Sequence, residues 1–128
     1  MRLLLDTCAM IALAEGNLPT AAAAALESAE KAVVSAVVPW ELGIKVKIGK
    51  LILAEPPLIW VRSLSVAYQL DPVIEALDAP LLCAAAELPL LHRDPFARIL
   101  VATALAHHLT ILTSDRIIPE YPGIETVW

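Results

Sequence analysis

Two stretches decide the architecture: Arg2-Leu3-Leu4-Leu5-Asp6-Thr7 near the start of the chain and Thr110-Ile111-Leu112-Thr113-Ser114-Asp115 near its end. Each is a short apolar run closed by an acid. A strand with one wet face alternates apolar and polar residues, so continuous runs of this length predict strands buried on both faces. Ala32-Val33-Val34-Ser35 reads as another such strand, and residues 124–127 as a final edge strand.

Between these runs the pattern is helical. Residues 8–13 predict a helix started by Asp6 or Thr7 and ended near Glu15-Gly16-Asn17, and the alanine-rich residues 20–31 predict a second. Residues 37–46 predict a third, with Pro39 suited to its first turn. After a break framed by Gly49 and Pro56-Pro57, residues 58–68 return to helical spacing, with Trp60 and Leu64 on one side. Leu70-Asp71 reads as a short strand end, residues 76–87 as a helix that Pro80 must begin or break, and residues 95–108 as a helix opened by Pro95. Pro119 and Pro122 predict an irregular segment before the last strand. Strands separated by helices imply a mostly parallel central sheet covered on both sides, an α/β fold of three layers, and 128 residues suit one domain over 1–128.

Composition narrows the function without naming it. Hydrophobic residues reach 59% and charged residues only 18%, which excludes disorder and suits a doubly covered sheet or an extra apolar surface met by a partner. No apolar run reaches the ~20 residues of a membrane span, and Asp6 and Glu15 interrupt the start where a signal peptide would be apolar, so a cytoplasmic, non-membrane location is expected. A formal charge of -5 argues against non-specific wrapping of nucleic acid, but not against an enzyme that meets phosphate through a bound metal. Cys8 and Cys83 have neither disulfide-framework nor zinc spacing and read as small buried or half-buried hydrophobes.

Parallel sheets bind ligands beyond the carboxyl ends of their strands, where both Asp6 and Asp115 fall. Each taken alone reads equally as a helix cap or turn acid. Together they are more informative, because parallel strands bring together ends that lie far apart in sequence. Glu41, in Pro39-Trp40-Glu41-Leu42, is a third candidate, with a role near a helix start as its competing reading. Asp94, in His92-Arg93-Asp94-Pro95-Phe96, either caps the following helix or edges the same site. Carboxylate oxygens of this kind suit Mg²⁺, or Mn²⁺, rather than a softer ion.

Four ordered blocks resemble a PIN domain: Leu3-Leu4-Leu5-Asp6-Thr7, residues 35–42, residues 92–104, and Leu112-Thr113-Ser114-Asp115. Within that family the blocks look like those of the VapC-type toxins of bacterial toxin-antitoxin pairs, and the likeness covers nearly the whole chain. The resemblance implies a metal-dependent endoribonuclease that hydrolyses RNA phosphodiester bonds, water attacking the phosphorus in line to leave a 3′ hydroxyl and a 5′ phosphate. It also implies a homodimer and inhibition by a cognate antitoxin that places a basic side chain among the acids.

Carried over residue by residue, the resemblance makes Asp6, Glu41 and Asp115 the catalytic metal ligands, with Asp94 a possible edge ligand. One departure stands out. Where the family has a motif like Asp-Pro-Phe-Asp-Arg, this chain has Asp94-Pro95-Phe96-Ala97-Arg98. Asp94 lies three residues earlier, almost a helical turn, and need not replace the missing ligand. Either Ala97 is an introduced inactivating change or the site has been lost or rearranged naturally; in both cases this chain is expected to be impaired. The alternative function is a catalytically inactive, toxin-like subunit that binds an antitoxin, with Trp40, Trp60, Ile44, Ile48, Leu51 and Ile52 candidates for an interface or for the core. Thr7, Thr113 and Ser114 are candidates for outer contacts to water or phosphate, and Arg93 and Arg98 for guiding RNA or pairing with acids.

Overall fold

A computed structural model describes residues 1–71 and 77–128. The strand β1 (Arg2–Leu5) runs into helix α1 (Thr7–Glu15), which is followed by α2 (Thr20–Ser28), β2 (Lys31–Val34), α3 (Val37–Lys47) and α4 (Pro57–Ala67). The second half contains α5 (Ala79–Glu87), α6 (Pro95–His107), β3 (Thr110–Leu112), a 3-10 helix (Ile118–Glu120) and β4 (Thr126–Val127). The expected start of a helix at Ala76 lies outside the described residues. Pro80 begins α5 instead of breaking it, with Asp78 capping through Leu81 N–H. The segment of Pro119 and Pro122 is less irregular than expected: Pro119 sits within the first turn of the 3-10 helix, where its missing N–H costs nothing.

Among the described residues all four strands are parallel, in the order β2-β1-β3-β4. Leu70-Asp71 contributes only a bridge, Asp71 pairing with Val33 beside β2. Successive residues of a strand face opposite sides of the sheet, yet Leu3, Leu4 and Leu5 are all 0% exposed, so both faces of β1 are covered. Ile111 and Leu112 are buried in the same way. The molecule is therefore an α/β fold around an all-parallel sheet.

The chain leaves β1 toward β2 on one side and later returns to β3 on the other. The two central strands thus form a switch point, where connections diverge and leave a crevice at the carboxyl ends. Leu5 stands opposite Leu112 in register, and the Asp6 N–H donates to Leu112 O at 3.2 Å. Helix α6 fills the space behind this point. Every residue from Ala97 to Ala104 is buried, and its small residues Ala97, Ala102 and Ala104 permit that close packing. The Trp40 ring meets Phe96 edge-on at 4.9 Å, joining α3 to the start of α6. Among the described residues, no single helix is long and apolar enough to cross a membrane.

Candidate active site

Asp6, Glu41, Asp94 and Asp115 all line one cavity of about 140 Å³, with Ala97, Lys45, Thr7, Cys8, Ser114, Leu100 and Ile118. A larger cavity, about 500 Å³, lies beside the start of β2; its walls mix apolar side chains of α1 and α2 with Glu27, Glu30 and Lys31.

Asp6 reaches the cavity from the end of β1 and is 5% exposed. Its Oδ1 accepts from Ala9 N–H at 2.7 Å, so it caps α1, while its Oδ2 accepts from the Thr113 hydroxyl. Burial, opposed by those two hydrogen bonds and reinforced by the charges of Glu41 and Asp115, pushes its carboxyl up from 3.8 to about 6. Glu41 lies in the second turn of α3, whose first turn has no acid, so it is not a capping glutamate. It is 7% exposed, takes the Thr7 hydroxyl on Oε1 at 3.0 Å, and pairs through Oε2 with the Lys45 ammonium at 3.1 Å.

Asp115 follows β3 and is partly open to the cavity. Its Oδ1 accepts from the N–H groups of Ile117 and Ile118 at 2.7 and 3.1 Å, and its Oδ2 contacts His92 Nε2 at 2.6 Å. Burial opposes its ionisation, but the hydrogen bonds from His92, Ile117 and Ile118 outweigh it and hold the carboxyl below the usual range. Asp94 caps α6 through Phe96 N–H at 3.0 Å and forms the cavity's rim. Ala97, one turn further along α6, presents a methyl group where Asp94 and Asp115 present carboxylates.

The protein's own donors hold these acids at nearly every oxygen. Among the described residues, no three His, Cys, Asp or Glu side chains are grouped so as to hold a metal ion. The acids converge on a shared space without closing on a common point.

A family model of the PIN domain matches residues 3–124. The chain belongs to the PIN-domain family. Among curated proteins, none matches the chain significantly. Membership places this PIN domain in a nuclease family, and the match spans all four acids and Ala97.

Several groups in the site took other roles than their sequence context suggested. Arg98 pairs with no acid among the described residues and is not displayed to solvent: it is 9% exposed and donates to the carbonyls of Ala86, Leu88, Pro89 and His92 and to Tyr121 Oη. A residue number cannot reveal that α6 is buried on the side that carries this guanidinium. Both cysteines are exposed, contrary to the expectation of buried or half-buried hydrophobes, and Cys8 lines the acidic cavity. Thr7 and Thr113 hold acids directly, and Thr113 also accepts from Asp115 N–H at 3.0 Å, tying the two strand-end acids together. Two residues were missed. Lys45 was signalled by its i,i+4 spacing from Glu41; His92 had no signal beyond its place in the block before α6.

Proposed function

We propose that this PIN domain is an endoribonuclease of the VapC toxin kind that uses Mg²⁺ or Mn²⁺, and that Ala97 leaves the present chain impaired. The observation that carries the reading is the convergence of Asp6, Glu41 and Asp115 with Ala97 on one cavity at the switch point of a parallel sheet. The donor chemistry fits: the candidate ligands are all carboxylate oxygens, the choice of a hard divalent cation. Asp6 displays the strain of gathering them, since its ionised form is opposed by burial and by both neighbouring acids.

A divalent cation would supply the positive charge that keeps the three acids ionised together and offsets charge developing on a phosphate. Asp6, Glu41 and Asp115 would hold it. Thr7 and Thr113 orient two of these acids, and Lys45 brings an ammonium to the same cavity, where it would meet a phosphate once a cation relieves Glu41. Ala97 adds nothing to the ligand set. A carboxylate in place of its methyl group would enter the same space one turn from Asp94.

A second reading, a catalytically silent subunit that binds an antitoxin or a second copy, is favoured by Ala97 and by an apolar stripe on and beyond α3. Trp40, Ile44, Ile48 and Ile52 are exposed there, whereas Trp60 and Leu51 pack against the core. Cleavage of a defined RNA with Mg²⁺ separates the two. The Ala97→Asp chain is expected to cut at least about 100-fold faster than the parent, loss of a metal ligand being more severe than the 10–100-fold typical of an outer-shell partner. Equal and strong cleavage by both would remove position 97 from the account; no cleavage by either, with retention of a co-purifying basic antitoxin, would favour the binding subunit.

A further inference from the structure

His92 stands outside the set of acids, yet both nitrogens of its ring are held. Asp94 N–H donates to Nδ1 at 3.1 Å, which leaves Nε2 as the protonated nitrogen that donates to Asp115 Oδ2 at 2.6 Å. The backbone of the same residue is also fixed. Its N–H donates to Tyr121 Oη at 2.9 Å, and its carbonyl accepts from Arg98 Nη1 at 3.3 Å. Arg98 in turn gathers the carbonyls of Ala86, Leu88 and Pro89, so the whole connection between α5 and α6 is fastened to one buried side chain of α6.

We propose that His92 is a positioning residue that holds the Asp115 carboxylate facing the cavity, with Arg98 and Tyr121 as the frame that sets where the imidazole stands. The inference rests on reading Asp115 as a metal ligand. Asp115 Oδ1 is tied to the turn by Ile117 and Ile118, but those bonds leave Oδ2 free to swing about the anchored oxygen. The imidazole removes that freedom. A carboxylate oxygen has two lone pairs, so Oδ2 keeps one for a cation while accepting from Nε2. Histidine suits this position because its second ring nitrogen can be fixed independently, which fixes the direction of the first.

The test uses the folded full chain and its Ala97→Asp form, with His92→Ala, His92→Gln and His92→Asn in each. Gln carries its amide nitrogen at the reach of Nε2, whereas the Asn amide stops at the reach of Nδ1. Two readouts are taken: Mn²⁺ affinity by titration, and the Asp115 Hα–Hβ couplings by NMR without metal, with melting curves to confirm folding. His92→Ala and His92→Asn are expected to weaken Mn²⁺ binding by about tenfold or more and to average the couplings, while His92→Gln stays within about threefold of the parent with one rotamer retained. Couplings that stay those of a single rotamer in all variants would overturn the proposal, as would equal Mn²⁺ affinity in all of them. If no form binds Mn²⁺ but the couplings average in Ala and Asn and not in Gln, the positioning role stands and the metal-centre reading fails.

Discussion

The two walls of the cavity are built differently. On the strand side, Asp6 and Asp115 at the strand ends, joined by Glu41 from α3, are each held by neighbours while lining a common space. On the helix side, α6 presents Ala97 and Leu100, and its arginine, Arg98, turns away to bind carbonyls of the preceding connection. The strand wall concentrates negative charge at an energetic cost; the helix wall supplies packing and a frame. On the proposed function, folding depends mainly on the second wall and metal binding on the first, so that alanine at 97 would silence the chemistry and leave the fold intact.

The largest effect should come from the strand wall. In the Ala97→Asp chain, Glu41→Gln is expected to lower Mg²⁺-dependent RNA cleavage on the order of 1,000-fold, about 4 kcal/mol of barrier, with little change in melting temperature. A large loss of stability instead would mean that Glu41 is a structural acid.

The matching test of the helix wall is Arg98→Met. It leaves the carbonyls of Ala86, Leu88 and Pro89 without their donor and should cost roughly 3–4 kcal/mol of stability, read by denaturant unfolding. A cost below 1 kcal/mol would show that water serves those carbonyls as well.

The third prediction concerns pH. Because Asp6 is raised to about 6 in the folded chain, the folded state holds an extra proton between about pH 4 and 6, and stability falls as pH rises through that window. Asp6→Asn keeps the cap to Ala9 and escapes this loss. Without metal, the variant should gain on the parent as pH rises from 4 to 7, by up to roughly 3 kcal/mol, and Mg²⁺ should shrink the gap by stabilising only the parent. A difference independent of pH would show that Asp6 is ionised at little cost.

The smallest effect belongs to Lys45→Met. The Lys45 side chain is 39% exposed, so its pair with Glu41 is worth less than about 1 kcal/mol to stability. Removing the ammonium should nevertheless tighten Mn²⁺ binding a few-fold, about 0.5–1 kcal/mol, because it competes for the same carboxylate.

Much of the strand wall was legible in the sequence. Leu3-Leu4-Leu5-Asp6 and Ile111-Leu112-Thr113-Ser114-Asp115 end apolar runs abruptly, and the parallel-sheet rule brings such ends together. The choice between cap and site residue was less exclusive than it looked. Asp6 caps α1 with one oxygen and faces Thr113 with the other, so a carboxylate serves both roles at once. The helix wall was legible only as a motif with alanine at the fourth position. The fate of Arg98 depends on how deeply α6 is buried, and the contact of His92 with Asp115 spans 23 residues across α6 and β3, starting from the end of a connection, Leu88-Pro89-Leu90-Leu91, whose composition announces nothing. Cys8 and Cys83 are exposed for a related reason: helix phase, not residue hydrophobicity, decides which side chains the core covers, and the phase of α1 puts Cys8 at the open cavity.

The most direct measurement is a Mn²⁺ titration of the parent chain beside Ala97→Asp, with Asp6→Asn, Glu41→Gln and Asp115→Asn in the second background. The account predicts that Ala97→Asp binds at least about tenfold more tightly than the parent, and that each of the three further substitutions removes most of that gain. Equal affinity in parent and Ala97→Asp, or tight binding that survives loss of the strand-wall acids, would contradict it.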